Sequence, residues 1–237
     1  MVFAMAPHPL AELISAAAVG RFPAVDGGWH RVPPWRPGLH AVIAFTGHAV
    51  LALPDEVPDR LLTEFGVDGF GGAHDPRLVA ALAGPDGWID SLDLIVAGRG
   101  TRPSPTNSPG LVLRPDLADH HRARHAATIR SRPRVFGYPE TSSRTVAILS
   151  EGLAGLTELS FELDPQLRGA GRGSTLIRQA LHRVPAGDLV LASVAPGNAA
   201  SLRSLLGAGF VPLASLQLFS PAQLFSPAPP AGPPART

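Results

Sequence analysis

Cysteine and lysine are both absent from this 237-residue sequence, and the 20 basic residues other than histidine are all arginines. Without cysteine, a disulfide framework is excluded. Without lysine, no side-chain amine is available for Schiff-base chemistry, and each permanent cation is a planar guanidinium. Charged residues are scarce as well, at 16%, and the net charge of +1 is too balanced to indicate a nucleic-acid partner.

Long hydrophobic runs and targeting signals are also missing. The most apolar stretch, 41–54, is interrupted at Thr46, Gly47 and His48 and is shorter than the roughly 20 residues that a membrane-spanning helix needs. The start of the sequence has no lysine or arginine ahead of its apolar part, which argues against a secretory signal. We therefore expect no membrane partner and a cytoplasmic location.

Glycine and proline are plentiful, with 25 and 26 residues, and predict many loops. A cluster of turn-forming residues over 98–110 predicts a linker. It separates an N-terminal α/β region, 1–105, from a second domain, 111–220. The hexapeptide QLFSPA then occurs twice in succession and leads into a Pro-rich end, so 221–237 is predicted to be a disordered tail.

The hydrophobic pattern of each region predicts its secondary structure. In the N-terminal region it predicts a helix over 10–20, a loop over 27–38, a hairpin over 40–53, short helices over 58–65 and 76–82, and a strand over 92–97. In the second domain it predicts strands over 111–114, 135–138, 145–149, 158–163, 189–194 and 211–219, with helices over 116–130, 174–183 and 198–206. This order indicates the α/β class.

The most informative segment is a glycine-rich turn, LRGAGRGS over 167–174, between a predicted strand and a predicted helix. Its alternate glycines let the backbone turn sharply and approach a ligand closely. The N–H groups at the start of the following helix, together with the helix dipole, suit a pyrophosphate. Turns of this kind also occur for structural reasons alone, so the motif needs support from its context.

That context lies downstream, where Asn198 is a good helix N-cap and Gly209-Phe210 ends the same helix. The pattern Arg-Gly-x-Gly-x-Gly followed by Asn and Gly-Phe resembles the two signature segments of the GCN5-related N-acetyltransferase (GNAT) family. The resemblance is specific over about 156–219 and plausible from 111, and it does not evidently cover 1–105. It implies a mixed central sheet flanked by helices, acetyl-CoA as co-substrate and an amine-bearing acceptor. The N-terminal region is then a degenerate relative of the same fold or a cover for the acceptor side. The sequence leaves a homodimer open.

The resemblance also implies where the coenzyme binds. In this family two neighbouring strands splay apart, and acetyl-CoA lies in the gap. The pantetheine arm then bonds to the backbone of Phe161, Glu162 and Leu163, and Asn198 contacts the coenzyme. The pyrophosphate is wrapped by the turn formed by Arg168, Gly169, Ala170, Gly171, Arg172, Gly173 and Ser174. Arg172 and Arg203 are candidates to meet its phosphates.

Acyl transfer to an amine needs a neutral nucleophile, because a lysine-like ammonium has a pKa of about 10.4. A general base is therefore useful, and Glu158, which shares a strand face with Glu162, is our candidate. An ion-paired strand carboxylate is the equally weighted alternative. The family often places a tyrosine five residues before the phenylalanine of the Gly-Phe pair. Here that residue is Leu205, and the only tyrosine is Tyr138.

Three other interpretations compete with this one. Asp188 lies nineteen residues after Gly169, as in a dinucleotide fold, but the glycine spacing differs from that motif and the preceding strand is polar on one face. His121 and His125 are one helical turn apart and begin a zinc motif, but a solvated helix is favoured and we expect no metal. A non-catalytic acyl-CoA-binding module acting through a partner remains the alternative function, which Leu205 favours.

Overall fold

Ten strands form one mixed sheet in the computed structural model, which describes residues 6–103, 110–169, 171–222 and 224. The predicted α/β fold with a mixed sheet is thereby confirmed. The strand order across the sheet is 1-3-2-10-4-9-8-7-6-5 in chain numbering. The strands are β1 (Trp29–Val32), β2 (His40–Phe45), β3 (His48–Ala52), β4 (Trp88–Arg99), β5 (Val112–Leu113), β6 (Ser131–Gly137), β7 (Val146–Glu151), β8 (Thr157–Glu162), β9 (Leu189–Val194) and β10 (Val211–Ser220).

Strand β4 joins the two predicted regions, because it lies between β9 and β10 and is antiparallel to both. Its register with β9 runs from the pair Leu94–Val194 to the pair Arg99–Leu189. The sheet therefore continues across the predicted linker, whose residues 104–109 lie outside the described part of the chain. The N-terminal region supplies an internal strand to the sheet that carries the glycine-turn motif.

Helices cover both faces of this sheet. The described helices are α1 (Pro9–Ala17), α2 (Asp59–Glu64), α3 (Pro76–Ala83), α4 (His121–Ile129), α5 (Arg172–Leu181) and α6 (Ala199–Gly207). Helices α1 and α4 pack on one face, where Ile43, Ile148 and Leu216 are buried. The other four helices pack on the opposite face. None of the helices in the described ranges is both long and apolar enough to span a bilayer.

Several elements differ from the sequence prediction. Strand β4 begins at Trp88 and ends at Arg99, inside the predicted linker, and β6 begins at Ser131. The predicted loop over 27–38 contains β1, which pairs in parallel with β3. A strand of four residues, preceded by two glycines and followed by two prolines, is too short for a hydrophobic pattern to reveal. Helix α4 begins only at His121, because Pro115–Leu117 forms a 3₁₀ turn and the side chain of His120 caps the helix by accepting a hydrogen bond from the Arg122 N–H (3.2 Å). The predicted hairpin of β2 and β3 is confirmed.

The shared sheet predicts that the two regions depend on each other. A chain cut in the 104–109 segment and expressed as the C-terminal piece alone leaves β9 and β10 without the strand that pairs with both, exposing unpaired backbone groups. We expect this piece to lack a cooperative unfolding transition by circular dichroism, and co-expression of both pieces to restore it. A C-terminal piece that melts cooperatively by itself would contradict the dependence.

Candidate functional site

The site begins where β8 and β9 separate. These two strands run parallel, and only two residue pairs join them: Thr157 with Val190 and Glu158 with Leu191. Beyond these pairs β8 continues along β7 to Glu162, while β9 continues along β4 to Val194. The divergence leaves a cleft in the middle of the sheet, with unpaired strand edges on both sides.

The glycine turn closes the outer end of this cleft. Gly169 and Gly171 have φ of +91° and +72°, a conformation that side chains rarely adopt, and a Cβ atom placed on either would meet no atom within 4 Å. Gly171 is the N-cap of α5, and the first N–H groups of a helix lack intrahelical partners. The turn thus offers open space beside the positive end of a helix dipole.

Helices α5 and α6 meet closely behind the turn, which explains another glycine of the motif. A Cβ atom on Gly173 would lie 2.4 Å from Oγ and 2.9 Å from Cβ of Ser204. The hydroxyl of Ser174 donates to the carbonyl of Ser204 (2.9 Å). Gly173 is therefore required by helix packing, and this contact positions the start of α5 against α6.

The outer cleft has a volume of about 870 Å³ and collects most of the residues predicted to bind the coenzyme. Arg203, an alternative phosphate contact, also lines it, whereas Arg172 is exposed and does not line it. Ala170 lies outside the described residues. The predicted residues that line the outer cleft are Phe161, Glu162, Leu163, Arg168, Gly169, Gly171, Gly173, Ser174 and Asn198.

Basic side chains surround Glu162 in the outer cleft. Its Oε2 is 2.8 Å from Nε2 of His121 and accepts a hydrogen bond from Nε of Arg122 (3.2 Å), while Nη2 of Arg168 is 3.8 Å from Oε1. His120 completes a His-His-Glu group that a metal ion could use, but the two arginines already neutralise the carboxylate and repel a cation. Of the two histidines that the sequence singled out, His121 belongs to this group and His125 does not.

Asn198 stands between the outer cleft and a second, inner cavity. It caps α6 by accepting a hydrogen bond from the Ser201 N–H on Oδ1 (3.2 Å). Together with Arg122, Phe161 and Ser201, it lines both spaces, so the two adjoin each other, and together they are called the channel. The inner cavity has a volume of about 280 Å³ and lies at the end of the channel away from the glycine turn.

Glu158 lines the inner cavity but is held in a buried ion pair. Nη2 of Arg130 donates to its Oε1 (2.5 Å), as does Oγ of Ser193 (3.2 Å), and the N–H of Leu153 donates to Oε2 (3.2 Å). Both residues are less than one-tenth exposed. These three hydrogen bonds engage both oxygens of the carboxylate, and the one from the guanidinium is charge-assisted. The geometry thus favours the ion-paired alternative for Glu158, whose role as the base stays a prediction.

A carboxylate that the sequence analysis missed lies on the same face of the sheet. Asp93 of β4 lines the inner cavity, one residue beyond the last pair that β4 forms with β9. Burial raises the pKa of Asp93 to about 6, and the nearby charges of Asp90 and Glu158 add to this rise. The hydroxyl of Ser91, which donates a hydrogen bond to Oδ1 of Asp93 (2.8 Å), opposes it. A signal was present: polar residues at 90, 91 and 93 interrupt a strand that is otherwise apolar towards its end.

The position that the family often fills with tyrosine is confirmed as apolar. Leu205 is buried and lines the inner cavity. Tyr138 lines neither the inner cavity nor the outer cleft, and its burial raises the pKa of its hydroxyl. His125 does line the inner cavity, and its pKa is lowered by burial, so the imidazole is neutral at pH 7.

Comparison with known proteins finds likeness in structure alone. No family model and no curated protein matches the sequence. Similar solved structures include a GNAT-family protein from Novosphingobium aromaticivorans DSM 12444, with 18% identity and a TM-score of 0.38 over 59% of this chain and 69% of that one. A GNAT-family acetyltransferase from Colwellia psychrerythraea is 12% identical, with a TM-score of 0.37 over 56% of this chain and 57% of its own.

A GCN5-related N-acetyltransferase from Kribbella flavida is 16% identical, with a TM-score of 0.36 over 62% of this chain and 65% of that protein. This chain therefore spans 57 to 69% of the length of these three neighbours. They come from the family that the sequence motifs resemble. Because the identities are below 25% and the TM-scores below 0.5, we base no functional conclusion on them.

The buried ion pair predicts a double-mutant result. Glu158→Gln leaves the guanidinium of Arg130 buried without its counter-charge, which costs about 3–5 kcal/mol of the free energy of unfolding. Arg130→Met has a comparable cost, because it leaves the carboxylate unpaired. The double variant Glu158→Gln with Arg130→Met should recover most of the loss, because no buried charge remains. Urea unfolding of the four proteins tests this, and additive losses would contradict a coupled pair.

The raised pKa of Asp93 predicts a stability change with a definite sign. The native state binds this proton more tightly than the unfolded state between about pH 4 and pH 6, so the ionised carboxylate destabilises the fold above that window and not below it. Asp93→Asn should therefore add about 1–2 kcal/mol at pH 8, with solvent screening reducing the full effect, and nothing at pH 3.5. Denaturant unfolding at both pH values measures the difference. A gain of equal size at both would contradict the assigned pKa.

Proposed function

We propose that the protein is an acyl-CoA-dependent N-acyltransferase, with acetyl-CoA as donor and an amine as acceptor. The observation that carries the proposal is the divergence of β8 and β9 beside a glycine turn at the start of α5. Nine of the residues that the GNAT resemblance implies for coenzyme binding line the resulting cleft, although they come from a strand, a turn and two helices. A sequence motif and a three-dimensional opening thus support the same ligand.

The donor fits the outer cleft by shape and by charge. Beyond the pair of Glu158 with Leu191, no strand of the described residues pairs with the β8 edge that faces β9, which leaves its backbone groups to bond to the amides of a pantetheine arm. The positive helix end at Gly171 and the guanidiniums of Arg168 and Arg203 suit a pyrophosphate. The channel then leads from the pyrophosphate end to the inner cavity, where the thioester would meet the acceptor.

The chemistry asks little of a general acid. The leaving thiol, with a pKa of about 8.5 if it behaves like a free cysteine, departs as a thiolate without a protein donor. This accounts for Leu205 at the usual tyrosine position. The inner cavity offers carboxylates for the other requirement, removal of a proton from the attacking amine. An acyltransferase is therefore chemically complete without a tyrosine.

Acetyl-CoA binding tests the proposal directly. A ligand that binds only the native state stabilises it, by about 2.7 kcal/mol at a concentration 100-fold above Kd, so acetyl-CoA should raise the melting temperature. Gly171→Asp should abolish this rise by placing a negative charge where the pyrophosphate binds. The matched control is Gly66→Asp. Gly66 has φ of +68° against +72° for Gly171, and a Cβ on either meets no atom within 4 Å, but Gly66 does not line the cleft.

Three outcomes distinguish the competing functions. Stabilisation by NAD and not by acetyl-CoA contradicts the proposal and favours the dinucleotide interpretation. If acetyl-CoA stabilises the protein but no amine of a broad panel causes release of free thiol, the non-catalytic module is favoured. Stabilisation with amine-dependent thiol release supports the acyltransferase. Equal loss of binding in both glycine variants would show that Gly171→Asp acts through general strain.

A further inference from the structure

The N-terminal region places two carboxylates at the inner end of the channel. Asp90 and Asp93 both belong to β4, and both line the inner cavity. They lie outside the segment that resembles the GNAT family, whose own strands contribute Glu158 and Ser193. The acceptor side of the channel is thus built partly from a strand to which the sequence motif assigns no role.

In the described part of the chain, the cations of this cavity form no ion pair with those two carboxylates, although Arg130 acts on Asp93 and Asp90 acts on His125 at longer range. Glu158 is paired with Arg130, and Arg122 is paired with Glu162 in the outer cleft. Within the residues that the structure describes, neither Asp90 nor Asp93 has an arginine or histidine nitrogen within 4 Å of its carboxylate. Their hydrogen bonds come from Ser91, whose N–H donates to Asp90 (2.9 Å) and whose hydroxyl donates to Asp93 (2.8 Å). The inner cavity therefore attracts a cation.

Resting on the proposed function, we propose that Asp90 and Asp93 form the acceptor subsite for a primary ammonium ion, and that Asp93 is the base that deprotonates it. The volume of about 280 Å³ admits a small alkylamine or a single amine-bearing side chain. Both residues are half-buried, but Asp93 lies next to the last residue pair of β4 and β9 and within reach of Glu158 and Arg130. Asp93 is therefore the one placed to act on the bound nitrogen, whereas Asp90 attracts and holds the cation.

The surroundings of Asp93 suit this task. The ionisable groups that share the cavity are Asp90 on its own strand, Glu158 on β8, and Arg122, His125 and Arg130 in or next to α4. Burial is the main cause that raises the pKa of Asp93 to about 6, so at pH 7 it is ionised yet more basic than an ordinary carboxylate. A general base works best when its pKa lies near the working pH.

The step balances without any further reactant. The carboxylate of Asp93 takes one proton from the ammonium, and the neutral nitrogen attacks the thioester carbonyl carbon. The new C–N bond forms, the C–S bond breaks, and the sulfur leaves with the electron pair of that bond. The second proton of the nitrogen passes to the sulfur, which gives the amide and free CoA thiol. Asp93 returns its proton to solvent.

The pH dependence of acylation distinguishes this mechanism from delivery of an already neutral amine. With acetyl-CoA and n-butylamine, the wild-type rate per total amine should be level between about pH 6.5 and pH 9, because the bound species is the ammonium. It should fall about tenfold per unit below pH 6. Asp93→Asn should lower the rate at pH 7 by about two to four powers of ten and convert the level region into a tenfold rise per pH unit.

Two further variants assign the separate roles. Asp90→Asn should raise KM for n-butylamine severalfold and leave kcat within about twofold, because it removes attraction and not the base. Asp86→Asn, an exposed aspartate just before β4, is the matched control and should leave both constants unchanged. Methoxyamine is largely neutral at pH 7 and needs no base. With methoxyamine in place of n-butylamine, the acylation rates of Asp93→Asn and wild type should therefore differ less.

The outcomes separate this inference from the proposed function. If acetyl-CoA binds and amines are acylated, but Asp93→Asn keeps the wild-type rate and pH profile, the subsite assignment is overturned while the acyltransferase stands. If acetyl-CoA does not bind, the proposed function fails first. If Glu158→Gln, rather than Asp93→Asn, shows the lowered rate and the tenfold rise per pH unit, the base is Glu158 and the assignment to Asp93 is overturned. A lysine-containing peptide, tested in place of n-butylamine, separates a protein acceptor from a small amine. Because the chain itself has no lysine, any acetyl-lysine formed in this experiment comes from the peptide.

Discussion

The position of β4 between β9 and β10 is the constraint on which the rest of the site depends. This strand is long, at twelve residues, and its apolar end is buried between its two partners while its polar beginning extends past the end of β9. The same hydrogen bonds that join the two regions into one sheet therefore place Asp90 and Asp93 beside the gap that opens between β8 and β9. The acceptor side forms only when the whole sheet folds, because the N-terminal region and the second domain each supply part of the channel walls. A separate cover over the coenzyme domain would not produce this dependence.

The donor side depends on a different contact, the close approach of α5 and α6. Gly173 has no room for a side chain against Ser204, and the hydroxyl of Ser174 bonds to the backbone of the same residue. This contact ties the start of α5, with its glycine turn, to the helix that Asn198 begins. Helix α5 packs on β7 and shares a core cluster with β8 and β9. Its position therefore fixes where the positive helix end points relative to the edges of β8 and β9. The alternate glycines thus have separate tasks: two supply the left-handed backbone of the turn, and one supplies the helix contact.

The sequence anticipates that these residues meet in one cleft because the signals are local, and coenzyme binding by that cleft stays a prediction. The glycine turn lies within a few residues of β8 and α5, and nine of its predicted partners line one cleft. Most strands and helices follow for the same reason, since each depends on its own pattern. The acceptor side is not local. Arg130 and Glu158 are 28 residues apart, so a strand pattern that places Glu158 on a polar face cannot reveal that a helix end neutralises it. Asp93 precedes the turn by more than 70 residues and belongs to a region without a recognised motif, and only the sheet order brings the two together. The four-residue β1 was missed because it is too short to show a period.

The two carboxylates on the shared face illustrate how a buried site can hold different charges for different purposes. Glu158 on β8 and the half-buried Asp93 on β4 lie on either side of β9, and the charge of Glu158 adds to the rise in the pKa of Asp93. Arg130 pairs with Glu158, and this pair holds the end of α4 and the hydroxyl of Ser193 in place. Among the described residues Asp93 forms no ion pair, and burial raises its pKa. A fold under selection for stability alone would replace it with an apolar residue or pair it, as it pairs Glu158. An unpaired carboxylate in the inner cavity lowers stability at neutral pH, and a cationic ligand that binds there supplies the missing charge. The cost to the folded state and the attraction for an ammonium ion are thus the same electrostatic free energy, realised without and with the acceptor.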